Sequence, residues 1–526
     1  MEHQAVAVWA GGSIDGLTSR RFERALVTAS AAVGVLAIAG CNGRSKSDGE
    51  RLARTECAAC HAFPEPNLLD KNTWQAGVLP RMAPRLGVSA QSLSEAMSRD
   101  TNTVVLNGAV TQQDWQKIVA YYVQNAPDSL PYQSLPVEPQ LDPSFFAVRP
   151  LVPGMKSSGI ITLLRIDSLR RRIFIGEAGS NLLRVVDWRG REVASTTLGS
   201  PPTDIIIGRD SVLVLESGIL DPNDLPRGSL VKYELAGDSL RAPSVVLDSL
   251  FRPVFVRTFD FAQSGRPDLI VCEYGNNRGR LALYRSTGVG YTRQVLAATP
   301  GAIRFEIRDL TGDGAPDLVV LFAQADERIV LYENDGKGNF AGTPKVLARF
   351  PPVYGSMYFA MHDFNGDGAP DIVYVNGDNF DYSRVLKPYH GVRILENDGH
   401  DNFRERFFFP IYGAARAEVG DYDGDGDLDI VATSNFADFQ KHPERGIVFL
   451  RNEGHYQFTP FTFSVAAGNE WNLTDAADLN GDGRPDVIVG AMDLQNVGAL
   501  QRRDGGGRLE IPKGAVLLFE NRMNVR

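Results

Sequence analysis

Four copies of one acidic turn, each running straight into a strand, constrain this chain more than any other feature. They read DLTGDGAPDLVV (309–320), DFNGDGAPDIVY (363–374), DYDGDGDLDIVA (421–432) and DLNGDGRPDVIV (478–489). Successive copies start 54, 58 and 57 residues apart, and a weaker copy, DFAQSGRPDLIV (260–271), starts 49 residues before the first. Such periods belong to units that bury their apolar faces only by stacking on one another: a solenoid, propeller or array. Each unit carries a later strand that runs into a second turn: RLALYRSTG, RIVLYENDGKGNF, VRILENDGHDNF, IVFLRNEGHYQF and AVLLFENRM. Upstream, RRIFIGEAGSNLLRVVDWRG and SVLVLESG with GSLVKYEL read as two further units without the acidic turn. Short strands at even spacing between Gly/Asp turns predict antiparallel sheet. The count is seven, and seven four-stranded units close into a ring that leaves only short, protected edges. The expected fold class is mainly β, a seven-bladed propeller over residues 158–526.

The turn has the pattern D-x-[D/N/T]-x-D-G-x-x-D. Oxygens at positions 1, 3, 5 and 9, with a backbone carbonyl at 7, surround a hard cation, and glycine at 6 permits the sharp bend. The candidate metal sets are Asp309, Thr311, Asp313, Asp317; Asp363, Asn365, Asp367, Asp371; Asp421, Asp423, Asp425, Asp429; and Asp478, Asn480, Asp482, Asp486. Carboxylates this close repel one another unless a divalent ion sits among them. About four Ca²⁺ ions are expected; the copy at 260 has Ala262 and Ser264 at positions 3 and 5 and is expected to be metal-free. An EF-hand needs glutamate at position 12 and flanking helices, whereas here a strand follows at once. The alternative is an Asp/Gly turn whose side chains cap backbone amides without metal. Ions that recur on repeated turns read as structural, because a catalytic metal usually occurs once with an open position. The repeated turn resembles the FG-GAP (VCBS) repeats of integrin-type propellers and of many bacterial surface proteins, and the resemblance covers about residues 158–526.

The other end of the chain carries different chemistry. Three of the four cysteines lie within residues 41–60. SRRFERALVTASAAVGVLAIAGC joins a basic stretch (Arg20, Arg21, Arg24) to a short apolar run ending Ile38-Ala39-Gly40-Cys41, which reads as a signal peptide over residues 1–40. That ending resembles the lipobox of bacterial lipoproteins. The resemblance implies lipidation at Cys41, a lipid anchor in the membrane, and export to the periplasm or cell surface. Asn42 in place of aspartate favours the outer membrane.

Cys57-Ala58-Ala59-Cys60-His61 is the C-x-x-C-H attachment signature of c-type haem. Two thiols three residues apart reach the two vinyl groups of one porphyrin, and the next residue supplies the proximal imidazole. A redox dithiol would need a thioredoxin-like βαβ pattern, and zinc a second Cys/His pair; neither is nearby. TQQDWQKIVAYYVQNAP predicts a second helix, with a Thr111/Asp114 capping box, a core face of Trp115, Ile118, Val119 and Tyr122, and a stop at Pro127. A helix at each end with a haem between resembles the cytochrome c fold, so residues 41–127 read as a small all-α haem domain. For the sixth ligand, Met82 lies between Pro80 and Pro84, which are expected to hold the chain extended; Met97 and an open position are the alternatives. Met/His ligation would favour electron transfer over oxygen chemistry. Residues 127–157 contain seven prolines, so 128–157 reads as an extended linker.

Function follows from these parts. The formal net charge of −10 excludes a nucleic-acid partner, since no basic surplus is available to displace counterions. Glu177, Glu216, Glu273, Asn376 and Ser434, with Gln324, Asp378 and Asp493 close by, fall at corresponding strand ends and would gather near one mouth of the ring. They are either a polar binding surface or inter-blade hydrogen bonds. Histidines 362, 390, 400, 442 and 455 are scattered, and Cys272 reads as a buried strand cysteine. The preferred reading is a membrane-anchored, mono-haem electron-transfer lipoprotein whose calcium propeller docks a redox partner protein or scaffolds a complex. One alternative is a haem-coupled periplasmic oxidoreductase, in the manner of quinoprotein dehydrogenases, with the propeller as substrate or cofactor site. A second is a surface adhesion protein.

Overall fold

The second strand of each acidic repeat decides the architecture. Asp268–Glu273, Asp317–Phe322, Asp371–Asn376, Asp429–Ser434 and Asp486–Ala491 are buried at every position. A strand in a one-sided sheet alternates apolar and polar residues; a strand covered on both faces reads as one apolar run. These strands are of the second kind, because a neighbouring blade packs on each face. In the computed structural model the chain is described at residues 46–88, 110–152, 160–236, 239–378, 383, 385–467, 469–492 and 515–523. Cys41, the segment 1–40, Met97 and Asp493 lie outside the described residues.

Seven sheets form in chain order. Blades 1 to 6 are meanders over residues 161–197, 202–250, 253–297, 302–349, 356–410 and 414–462. The first strand of each blade packs against that of the next, and blade 7 packs back on blade 1, so the ring is closed. Blade 7 is built differently. Its three C-terminal strands, Trp471–Ala477, Asp486–Ala491 and Val516–Asn521, take their outer strand, Phe146–Pro150, from before blade 1. Gln140–Leu141 adds a fifth strand, parallel, to blade 6.

Those two strands correct the boundary of the linker. Residues 128–152 hold no helix, and a segment bearing Phe146 and Val148 can pair with an open sheet edge. Phe146 is buried in a cage of Tyr422, Phe449, Phe463 and Phe519 at 5.4–6.0 Å between ring centroids. Burying such a ring contributes about 2–3 kcal/mol, so the strands Gln140–Leu141 and Phe146–Pro150 belong to the propeller.

Among the described residues, two helices longer than eight residues precede it, α1 (Asp48–Glu56) and α2 (Gln112–Asn125), with the π-helical stretch Thr73–Val78 between them. Ser47 caps α1 by accepting from Glu50 N, and Thr111 caps α2 by accepting from Asp114 N, as the capping box predicts. The core face of α2 differs by one residue from expectation: Trp115, Ile118, Tyr121 and Tyr122 are buried, while Val119 is half-buried. The helices cross at Gly49, where a Cβ would meet the Lys117 carbonyl oxygen at 2.4 Å. Glycine is required there by the close approach, not by its backbone angles. Around Met82 the prolines do not hold the chain extended: Leu79–Met82 is a helical turn and Pro84–Leu86 a 3₁₀ turn. Pro84 opens its turn, where the missing N–H has no partner to lose, whereas Pro80 follows directly on the π-helical stretch Thr73–Val78. No helix among the described residues is long and apolar enough to cross a membrane.

Residues Ser47–Arg526 form one compact unit. Val353 and Tyr389 of blades 4 and 5 join the apolar cluster of the helical region, and Arg85 Nη2 donates to Asn277 Oδ1 of blade 3 at 3.1 Å. These residues lie in turns between second and third strands or in links between blades. The acidic turns join first and second strands. In an antiparallel meander the two sets emerge at opposite ends, so the helices cap the face away from the acidic turns.

Candidate functional site

The acidic turns share one internal geometry. The position-1 aspartate accepts amides at positions 4 and 6: Asp309 from Gly312 and Gly314, Asp363 from Gly366 and Gly368, Asp421 from Gly424 and Gly426, Asp478 from Gly481 and Gly483. These eight glycines have φ between +73° and +94°, which other residues reach only with strain. The position-5 residues Asp313, Asp367, Asp425 and Asp482 each accept the amide at position 7.

The position-9 aspartate, expected to be a metal ligand, is first of all a staple. One oxygen accepts the amide at position 2 and the other the amide of an asparagine at the end of the third strand or, in blade 4, two residues past it. Asp317 pairs in this way with Leu310 and Asn334, Asp371 with Phe364 and Asn397, Asp429 with Tyr422 and Asn452, and Asp486 with Leu479 and Asn521. The four asparagines escaped notice in the sequence. Their signal was present: END, END, RNE and ENR recur in phase with the acidic turn.

The turns differ in how their charge is met. In blade 6, ligand oxygens of Asp421, Asp423 and Asp429 lie within 4.8 Å of one another. Asp429 is pushed up to about 8, by burial first and then by Asp423 and Asp425. In blades 5 and 7 an amide stands at position 3 and donates inward, from Asn365 to Asp367 at 2.9 Å and from Asn480 to Asp482 at 3.1 Å. In blade 7, Arg484 also places Nη2 on Asp482 at 2.6 Å. Blade 4 has the hydroxyl of Thr311 at that position. In blade 3, Asp260 accepts from Ser264 and Gly265, and Asp268 is paired with Arg285 at 2.9 Å. The donor set of blade 6 is the one whose carboxylates converge and best suits a hard divalent cation.

The C-x-x-C-H motif lies at the far end of α1. The helix stops at Glu56, Cys57 is its C-cap, and residues 57–60 form a turn. Cys57 is half-buried, Cys60 exposed, and both are free thiols; burial pushes the Cys57 thiol up to about 11. His61 is half-buried, and burial lowers its proton affinity. Its Nδ1 lies 2.9 Å from the Ala62 carbonyl oxygen, which can only accept. Nδ1 therefore carries the proton and leaves the Nε2 lone pair for a metal. Met82 and Cys57 border the same apolar cluster, built on Trp74, Ile118 and Tyr122. Tyr122 Oη donates to the Pro64 carbonyl at 3.0 Å and Trp74 Nε1 to that of Pro66 at 2.8 Å, which pins the chain after His61. These residues fit a covalently attached haem in ligand type, order and tautomer.

The strand-end residues form clamps. Glu216 accepts Ser200 N, Glu273 accepts Phe251 N, and Glu327 accepts Gly355 N and Ser356 N, each tying down the link that leads into a blade. Glu177 takes Ser180 and Arg184, Asn376 donates to the Tyr354 carbonyl, and Ser434 to that of Tyr412. The inner strands hold a second polar system that sequence reasoning missed. Asp204 pairs with Arg165 at 3.1 Å and with Arg257 at 2.6 Å, Arg304 with Glu306 at 2.8 Å, and Arg304 and Arg416 both cover the Tyr358 ring. These side chains run around the axis and pair across blades.

Family models for the FG-GAP-like repeat match residues 260–320 and 309–374, and one for the FG-GAP repeat matches 471–501. The propeller carries FG-GAP repeats. No curated protein matches the chain in sequence. Among solved structures, "Structure of Dos1 propeller" aligns at 11% identity and a TM-score of 0.42, over 69% of this chain and 78% of that one. A chain of "Crystal structure of Nidogen/Laminin Complex" aligns at 14% identity and 0.31, over 48% and 80%.

Proposed function

We propose that this protein is an exported, lipid-anchored c-type cytochrome whose FG-GAP propeller binds or scaffolds a redox partner. Cys57 and Cys60 would hold one haem through thioether bonds, His61 would be its proximal ligand, and Met82 the sixth. When bound, the haem supplies a one-electron couple. The residues of the chain do the rest: Ala62 fixes the imidazole tautomer, and Trp74 and Tyr122 keep the turn rigid and dry on one side. The observation that carries this reading is the His61 ring, which directs Nδ1–H to a backbone carbonyl and leaves Nε2 available beside two free thiols.

In the same reading calcium sits in the acidic turns, first in blade 6, and stiffens the ring rather than taking part in chemistry. The anchor would be Cys41. The ion pairs around the axis favour docking over catalysis, because they already engage the charged groups a substrate would need. Intact mass and a pyridine haemochrome spectrum of the exported protein test the proposal. One porphyrin adduct, lost in the Cys57→Ala/Cys60→Ala variant, is expected; a mass without an adduct ends it. Met82→Ala should then let the reduced protein bind carbon monoxide readily, whereas unchanged binding moves the sixth ligand elsewhere.

A further inference from the structure

The turn that carries the C-x-x-C-H motif meets the propeller through charge. Arg349 ends the outer strand of blade 4 (Lys345–Arg349), and its Nη2 donates to the Cys60 carbonyl at 3.4 Å. Its Nε donates to Asp326 Oδ1 at 2.6 Å, and Arg328 pairs with the same carboxylate.

Within blade 4 Asp326 bridges Arg328 and Arg349, which face each other across its third and fourth strands. Blade 4 is clamped by the next residue, Glu327, which holds the link into blade 5 through Gly355 and Ser356. Asp326 turns instead to Arg328 and Arg349. Neighbouring acids thus have separate tasks: Glu327 ties down the link into blade 5, and Asp326 holds the arginine that reaches the motif turn.

We propose that Arg349 and Asp326 are a positioning pair for haem held at Cys57, Cys60 and His61, seating the motif turn on blade 4 and tuning the midpoint potential. The proposal rests on the haem reading above. Loss of an electron leaves the site one unit more positive. A nearby cation therefore disfavours the oxidised form and raises the potential, and a nearby anion lowers it. Adjacent charges of opposite sign predict opposite shifts when removed singly and near-cancellation when removed together. A pair that only packs gives no such signature.

The test is a potentiometric titration of the purified holoprotein, reduced by dithionite one electron at a time and reoxidised by ferricyanide. Haem content is measured first, and wild-type protein without haem overturns the functional reading before any potential is recorded. With haem present, Arg349→Gln should shift the oxidised-to-reduced ratio about fivefold toward oxidised, roughly 40 mV at 59 mV per tenfold. Asp326→Asn should move it the other way, the double variant should lie near wild type, and Arg349→Lys should restore most of the shift. Equal potentials throughout, or shifts of one sign, overturn the pairing. Should Arg349→Gln fail to fold, the near-isosteric Asp326→Asn decides alone: a raised potential supports the proposal and an unchanged one refutes it.

Discussion

Blades 3 and 6 place the same turn at the same point of the same fold and solve its electrostatics in different ways. In blade 3 the turn aspartate Asp260 is satisfied by Ser264 and Gly265, and the buried Asp268 has Arg285 as counter-charge. In blade 6 the equivalent acids are joined by Asp423 and Asp425, and Asp429 is forced far above its ordinary range. In both, the first aspartate of the turn accepts two backbone amides, at positions 5 and 6 in blade 3 and at 4 and 6 in blade 6. What differs is whether the chain supplies its own cation. Blade 3 does, through Arg285 on Asp268, and blade 7 does so in part, through Arg484 on Asp482.

The largest effect should come from divalent ions. At a hundredfold excess over its dissociation constant, one site stabilises by about 2.7 kcal/mol. Calcium should raise the melting temperature by several degrees and chelation reverse it, and Asp423→Ala should remove most of that response. A response that survives Asp423→Ala would place the ion in another blade. Next, Arg285→Ala should cost about 2–3 kcal/mol in a urea titration, because it strands a buried carboxylate. That loss should be the same with and without calcium.

A third carboxylate separates burial from crowding. Glu327 is buried beside neutral donors and pushed up to about 7, by desolvation first and by Asp378 second. Its folded value lies above its unfolded value near 4.5. The stability it lends is therefore complete below about pH 4.5 and lost as pH rises toward 7. Glu327→Gln should flatten the melting temperature across that window, and a slope that persists would assign the titration to another group. The smallest effect belongs to Asp260→Ala, expected to cost under about 1 kcal/mol, since its partners become solvent-exposed amides. A metal-dependent change in that variant would break the contrast between the blades.

Much of the site was legible. The capping box of α2 and the four acidic turns are local patterns, and local hydrogen bonds display their geometry. The position-9 aspartates were harder to read. Their partners Asn334, Asn397, Asn452 and Asn521 lie 17 to 35 residues downstream and are neighbours only after the sheet pairs. The residues around Met82 misled for a different reason: Pro84 opens a turn and Pro80 follows a π-helical stretch, both compatible with helical backbone, and sequence alone did not say so.

By itself the sequence determined the repeat, its number and its sheet character, because a period near fifty residues and an unbroken apolar second strand leave few ways to bury the surface. It also determined where thiols and carboxylates are concentrated. Only the tertiary structure decided that Phe146–Pro150 closes the ring, that Gly49 lets two helices touch, and that Arg349 reaches the turn after α1. Each of these joins segments far apart in the chain. Such contacts depend on ring closure and on which sheet edge is left open, and no local pattern of residues encodes either.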